Sequence, residues 1–114
     1  MATTAQISSS FDISVTLDGA AAHTVGPIGR DCRIVKIVAY NAAGTPTITV
    51  TDGSNDIAAT QQCLTNAGKL LELTEANCEI VATESLTITN GNASTTKLII
   101  TCVATAGGQS LTAS

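Results

Sequence analysis

Threonine alternates with small aliphatic residues in nearly every segment of this chain that could form a strand, and aromatic residues hardly enter the pattern. TITVTD at 47–52 and SLTITN at 85–90 are the clearest cases. β-Branched side chains fit a pleated, half-buried surface, and an alternation of period two puts them on one face, so the pattern predicts an all-β domain. The chain is 44% hydrophobic but 2% aromatic, with one Phe, one Tyr and no Trp. Sugar-binding faces, single-strand nucleic-acid platforms and most interface hot spots are built on aromatic rings, so the composition argues against all three.

At 114 residues the chain is expected to form one domain. Its formal net charge is −4 and only 12% of residues are charged. Arg30, Arg33, Lys36, Lys69 and Lys97 are dispersed along the chain rather than clustered. Nucleic acid selects clustered cations, which release counterions, so no nucleic-acid partner is expected. Residues 1–10, MATTAQISSS, show neither a basic n-region nor an apolar h-region, and no apolar run reaches the ~20 residues of a membrane span. The expectation is a soluble protein made in a cytoplasm, without a membrane partner. In that compartment Cys32, Cys63, Cys78 and Cys102 are expected as reduced thiols, with Cys32 and Cys102 acting as small hydrophobes at the edges of apolar runs.

Residues 1–10 read as a polar N-terminal arm, 11–105 as a single β-sandwich domain and 106–114 as a flexible Gly- and Ser-rich tail. In FDISVTL, Phe11, Ile13, Val15 and Leu17 share one face of a strand that ends at Asp18-Gly19, and Ala20–Val25 returns. Cys32–Tyr40 is a strand with two apolar faces, and Thr47–Asp52 turns at Asp52-Gly53-Ser54-Asn55 into a hairpin with Asp56–Thr60. Gln61–Ala67 is either a loop or one helical turn. Lys69–Leu73 reads as a strand, with Leu71 and Leu73 inward, because Gly68 precedes it and Thr74 follows; a helix running to Asn77 is the alternative. Cys78–Ala82 is a short strand, Asn90–Ser94 reads as a hairpin tip, and Lys97–Ala104 closes the fold. About eight short strands at these spacings predict a two-layer antiparallel β-sandwich of jelly-roll-like form.

Sites of chemistry are sparse. His23 lacks a neighbouring nucleophile motif and reads as a surface or turn residue. Asp52, Ser54 and Asp56 match the first, third and fifth positions of a calcium loop, but Ile57 and Leu64 stand where Gly and Glu are needed. A hairpin turn is the better reading. Asn92-Ala93-Ser94 has the form of a glycosylation sequon in a turn. No catalytic residue, metal or cofactor is expected.

The stronger signal is the surplus of apolar residues on two strands. In Lys97–Ala104, Leu98, Ile100 and Cys102 form the better core face, which turns Ile99 and Val103 outward. In Cys32–Tyr40, mid-strand Lys36 suggests that Ile34, Val38 and Tyr40 lie on the less buried side. Ile34, Val38, Tyr40, Ile99 and Val103 are therefore candidate residues of an oligomer interface.

The runs GTPTITVTDGSNDIAA at 44–59 and ESLTITNGNASTTKLIITCVA at 84–104 each read as a Thr-alternating strand, a Gly/Asn turn and a return strand. In this the chain resembles the decoration, or cement, proteins of tailed-phage heads. The resemblance implies a β-sandwich or jelly roll, commonly trimeric, that sits on the capsid exterior, binds the major capsid protein and clamps neighbouring capsomers. It carries no functional residue with it. A non-catalytic adhesin- or carbohydrate-binding-like module is the alternative.

Overall fold

Alternation sorts the side chains into two inner faces, and the strands carrying them pair in two antiparallel sheets. The computed structural model describes residues 3–7, 10–41, 43–63, 66–91, 95–104 and 109–113. Eleven strands follow in order: β1 Thr3–Ile7, β2 Ser10–Leu17, β3 Ala21–Val25, β4 Cys32–Asn41, β5 Thr47–Thr51, β6 Asp56–Gln62, β7 Ala67–Leu70, β8 Glu79–Ile80, β9 Leu86–Asn90, β10 Thr96–Ala104 and β11 Gln109–Ala113. A single 3-10 turn, Glu75–Asn77, precedes β8. The larger sheet runs β2-β10-β4-β7, with β8 also on β4, and the smaller runs β3-β9-β5-β6. Among the described residues β1 and β11 pair only with each other, in a two-stranded antiparallel ribbon.

The expected sandwich is present, and so is its core. Leu98, Ile100 and Cys102 of β10 point inward, as do Ile48 and Val50 of β5 and Leu86 and Ile88 of β9, all buried. Leu71 is buried and Leu73 packs half-buried against the same core, both inward as the sequence predicts. The hairpin at Asp52–Asn55 also forms. The Asp52 carboxylate accepts from the Ser54 and Asn55 amides at 2.9 and 2.8 Å, and Gly53 takes the positive φ the turn requires.

Two connections differ from expectation. β9 and β10 lie in opposite sheets, so residues 91–95 join the layers instead of forming a hairpin tip; residues 92–94 themselves lie outside the described residues. β9 already has β3 on one side and β5 on the other, so neither edge is open to β10. At the exit the Asn90 amide nitrogen donates to the Gly19 carbonyl at 3.2 Å, and the Gly91 amide donates to the Thr47 carbonyl at 2.9 Å. A Cβ on Gly91 would press on the Thr47 hydroxyl, which would have to rotate away. Asp18-Gly19 likewise carries the chain from the larger sheet to the smaller, where β3 pairs with β9.

The third difference is a register shift in β4. Cys102 faces Ile34 but Thr101 faces Lys36, so Val35 is an extra residue, a β-bulge. Val35 and Lys36 are both exposed, and the alternation resumes one residue late. Ile34 therefore points into the core at 2% exposure and is corrected from the candidate interface set.

The sandwich is sealed on one side and open on the other. Beyond β6, the segment from Leu71 to Cys78 crosses between the sheets. The Gln61 side chain receives the Glu72 amide at 2.7 Å and donates to the Glu72 carbonyl at 2.8 Å, as a strand partner would. Thr74 donates its amide to the Ile57 carbonyl, and the Asn77 side chain donates to the Asp56 carbonyl. Ile57, Cys63, Cys78 and Ile80 behind this strap are buried. At the β2 and β3 edges no such segment lies over the core among the described residues. Phe11, Ile13 and Val15 stand opposite the buried Cys102, Ile100 and Leu98, yet each is only half-buried.

Asn41 closes the end of β4. It is fully buried, its Nδ2 donates to the Thr96 hydroxyl at 2.7 Å and the Thr95 carbonyl at 3.1 Å, and its Oδ1 accepts from the Ala43 amide at 2.8 Å. Replacement by alanine strands the buried Thr96 hydroxyl. Asn41→Ala is expected to destabilise the fold by about 1–3 kcal/mol, read as a lower denaturant midpoint with unchanged slope.

Candidate interface on the outer face of the larger sheet

The outward face of the larger sheet is set by its register. Leu70 of β7 faces Val38 of β4, and Val38 faces Ile99 of β10 on its other side. This makes one continuous apolar row across three strands. Leu70 is 61% exposed and Ile99 47%, with Val38 between them half-buried. Tyr40 lies one outward position along β4, opposite Lys97, and its hydroxyl donates to Asn66 Oδ1 at 2.6 Å. Val103 is half-buried at the far end of β10, opposite Arg33. Four of the five candidate residues therefore share one face. Leu70 and Val35 belong to the same surface and were not identified from sequence, Leu70 because its strand was assigned only by its flanks.

The smaller sheet presents the contrary surface. Its outward positions are Ala22 and Thr24 on β3, Thr87 and Thr89 on β9, and Thr49 and Thr51 on β5, aligned across the strands. Thr49 and Thr60 bond through their hydroxyls at 2.7 Å. The outer face of the smaller sheet is mostly threonine, whereas that of the larger sheet carries the row Leu70, Val38 and Ile99 among the polar Ser14, Lys36, Lys97 and Thr101.

Beside the bulge the apolar face dips into a groove of about 310 Å³, lined by Val35, Leu70, Leu73, Arg33, Lys36 and Glu75 among others. Arg33 spans its rim, donating to the Glu75 carbonyl at 3.1 Å and lying 3.7 Å from the Glu79 carboxylate. Exposed pairs of this kind contribute at most about 1 kcal/mol.

Other candidates are structurally committed. His23 is inward-facing and half-buried on β3, opposite Ile88, with Nε2 3.3 Å from the Gly19 carbonyl. Among the described residues no group of three or more His, Cys, Asp or Glu side chains converges as metal ligands would. The proposed sequon falls on residues 92–94, outside the described residues.

All four cysteines are free and buried. Burial pushes each thiol pKa up, and Cys102 rises from 9.0 to about 12, through burial first and the adjacent Cys32 thiol second. A thiol that holds its proton longer in the folded state stabilises fully below its unfolded pKa and loses that contribution as pH rises toward the folded one. Stability is therefore expected to be flat to about pH 9 and to fall between about 9 and 12. The slope is at most about 1.4 kcal/mol per pH unit for each thiol, measurable by denaturant titration. Below pH 9, melts with and without reductant are expected to coincide, and thiol reagents to label the protein only after denaturation.

No protein-family model and no curated protein matches the chain. Among solved structures, a chain from Bacillus endospore appendages, described as a novel family of disulfide-linked pili, aligns over 90% of this chain and 92% of its own. The identity is 14% and the TM-score 0.57, a likeness of fold. A chain from the cyanophage Pam1 capsid asymmetric unit aligns over 90% of this chain and 86% of its own, with 16% identity and a TM-score of 0.44.

Proposed function

We propose that this protein is a non-catalytic structural subunit that self-associates through the outer face of its larger sheet and serves on the exterior of a phage capsid. There it would bind the major capsid protein and stabilise the shell by clamping neighbouring capsomers. The observation that carries the self-association is the row Leu70–Val38–Ile99, exposed on a sandwich whose other outer face is threonine. Burying a Val, Ile or Leu side chain stabilises by about 1.5–3 kcal/mol, so a few per copy offset much of the entropy of association. The capsid role and the trimeric number rest on the resemblance to decoration proteins.

Two further features favour a structural role. A clamp needs a surface for contact rather than a reactive group, and Leu70, Val38 and Ile99 offer apolar contact area. A sandwich with every thiol buried also keeps its cysteines from linking copies, which disfavours a disulfide-linked filament as the assembly. An adhesin-like module would use an aromatic platform; Tyr40 is the exposed aromatic among the described residues, and its hydroxyl is already engaged with Asn66.

The test is co-sedimentation with undecorated phage heads, followed by heating of the heads. Binding that raises the temperature of head disruption supports the proposal. Heads that neither bind the protein nor gain stability contradict it and favour the adhesin-like module.

A further inference from the structure

The open side of the sandwich is a second unfilled surface, distinct from the outer face. Three inward side chains of β2, Phe11, Ile13 and Val15, remain half-buried although their partners on β10 are fully covered. On β3 the inward positions are Ala21, His23 and Val25, opposite the buried Asn90, Ile88 and Leu86, and they too are exposed or half-buried. Leu17 closes one end of this slot, and the Arg30 guanidinium covers the Phe11 ring at 5.2 Å at the other. Between these ends β2 and β3 are both edge strands, each with a row of backbone groups turned away from its sheet. The strap from Leu71 to Cys78 does for the opposite side what no segment among the described residues does for this one.

We propose that this slot receives an added β-strand, and that the occupant is β1 of a second copy of the chain, laid along the free edge of β2. The same molecule holds a strand pair without a sheet: among the described residues β1 is bonded only to β11, and a two-stranded ribbon alone is marginal in water. β1 has one edge on β11 and the other available. Residues 1–10 contain no charged residue, no proline and no glycine, so they enter an apolar slot without stranding a charge and without interrupting a ladder. β1 and β3 are both five residues long, so the donor matches the shorter wall of the slot. The donor comes from another copy because only Ser8 and Ser9 separate β1 from β2. A two-residue hairpin turning β1 back onto its own β2 needs positive φ, which Asn-Gly, Asp-Gly or Gly-X supplies and Ser-Ser does not. The contact is head-to-tail, so it closes into a ring or continues as a chain of subunits. It does not rest on the outer-face reading.

Hydrogen–deuterium exchange of the full chain, across concentrations from monomer to assembly, tests it. The β2 amides not bonded to β10, and the free edge of β3, are expected to gain protection as concentration rises. Ala5→Pro removes a donor from β1, which lies outside both sheets, so this variant should lose that protection while the two sheets stay folded, with any loss of β signal confined to the ribbon of β1 and β11. Ile99→Asp, which acts on the outer face, should retain it. Protection of β2 that is independent of concentration, or that survives Ala5→Pro, overturns the proposal. Loss of protection in Ile99→Asp but not in Ala5→Pro also overturns it, and assigns the covering of β2 to the outer-face contact.

Discussion

Ile100→Ala is expected to destabilise the protein by about 2–5 kcal/mol, a large share of the 5–15 kcal/mol typical of a domain. Ile100 lies in the centre of β10, wholly buried, between Ile13 of β2 and Ile37 of β4. Removing its side chain forfeits the transfer free energy of three carbons and leaves a cavity, because both neighbouring strands are held by their own ladders and cannot collapse into it. The effect reads as a lower denaturant midpoint and a Tm reduced by roughly 4 °C or more for each kcal/mol lost. A loss below about 1 kcal/mol would mean that the inner face of β10 is not the core.

One residue earlier, the expected result is of another kind. Ile99→Asp should leave the β spectrum intact and change the single-chain stability by about 1 kcal/mol or less, since the side chain is 47% exposed and faces away from its own core. In an assembly built on the row Leu70–Val38–Ile99, the same carboxylate would be buried without a partner. That costs several kcal/mol, and each 1.4 kcal/mol weakens association about tenfold. Ile99→Asp is therefore expected to be a folded monomer at concentrations where the wild type is assembled, as judged by sedimentation velocity. A variant that stays assembled would remove the outer face from the interface.

These neighbouring residues also show how far alternation can be read. In β10 the period of two runs unbroken from Thr96 to Cys102, so the inward Leu98 and Ile100 and the outward Ile99 were legible without coordinates. In β4 the same reasoning misplaced Ile34. Lys36 was correctly taken as outward, but its neighbour Val35 is outward too, and a bulge flips every residue on one side of it relative to the other. Nothing in the local composition separates a bulged strand from a regular one with two apolar faces. Turn chemistry was similarly half-informative. Asp52-Gly53-Ser54-Asn55 closes a true hairpin, whereas Asn90-Gly91 and Asp18-Gly19 send the chain to the other sheet. Gly, Asn and Asp mark where a chain departs from extended geometry, but which sheet it joins next depends on which edges are already taken. The open side between β2 and β3 was not visible at all, because Phe11, Ile13 and Val15 follow the alternation of any half-buried strand. Their exposure reflects the lack of a strap over them, which is a property of the whole fold.

Self-association through the row Leu70, Val38 and Ile99 on the outer face of the larger sheet is what the proposed role depends on. The most direct test is the solution mass of the unmodified protein at micromolar concentration, by light scattering coupled to size separation. The expected mass is that of an oligomer, three times the chain mass for a decoration-type assembly. A clean monomer at that concentration would contradict it.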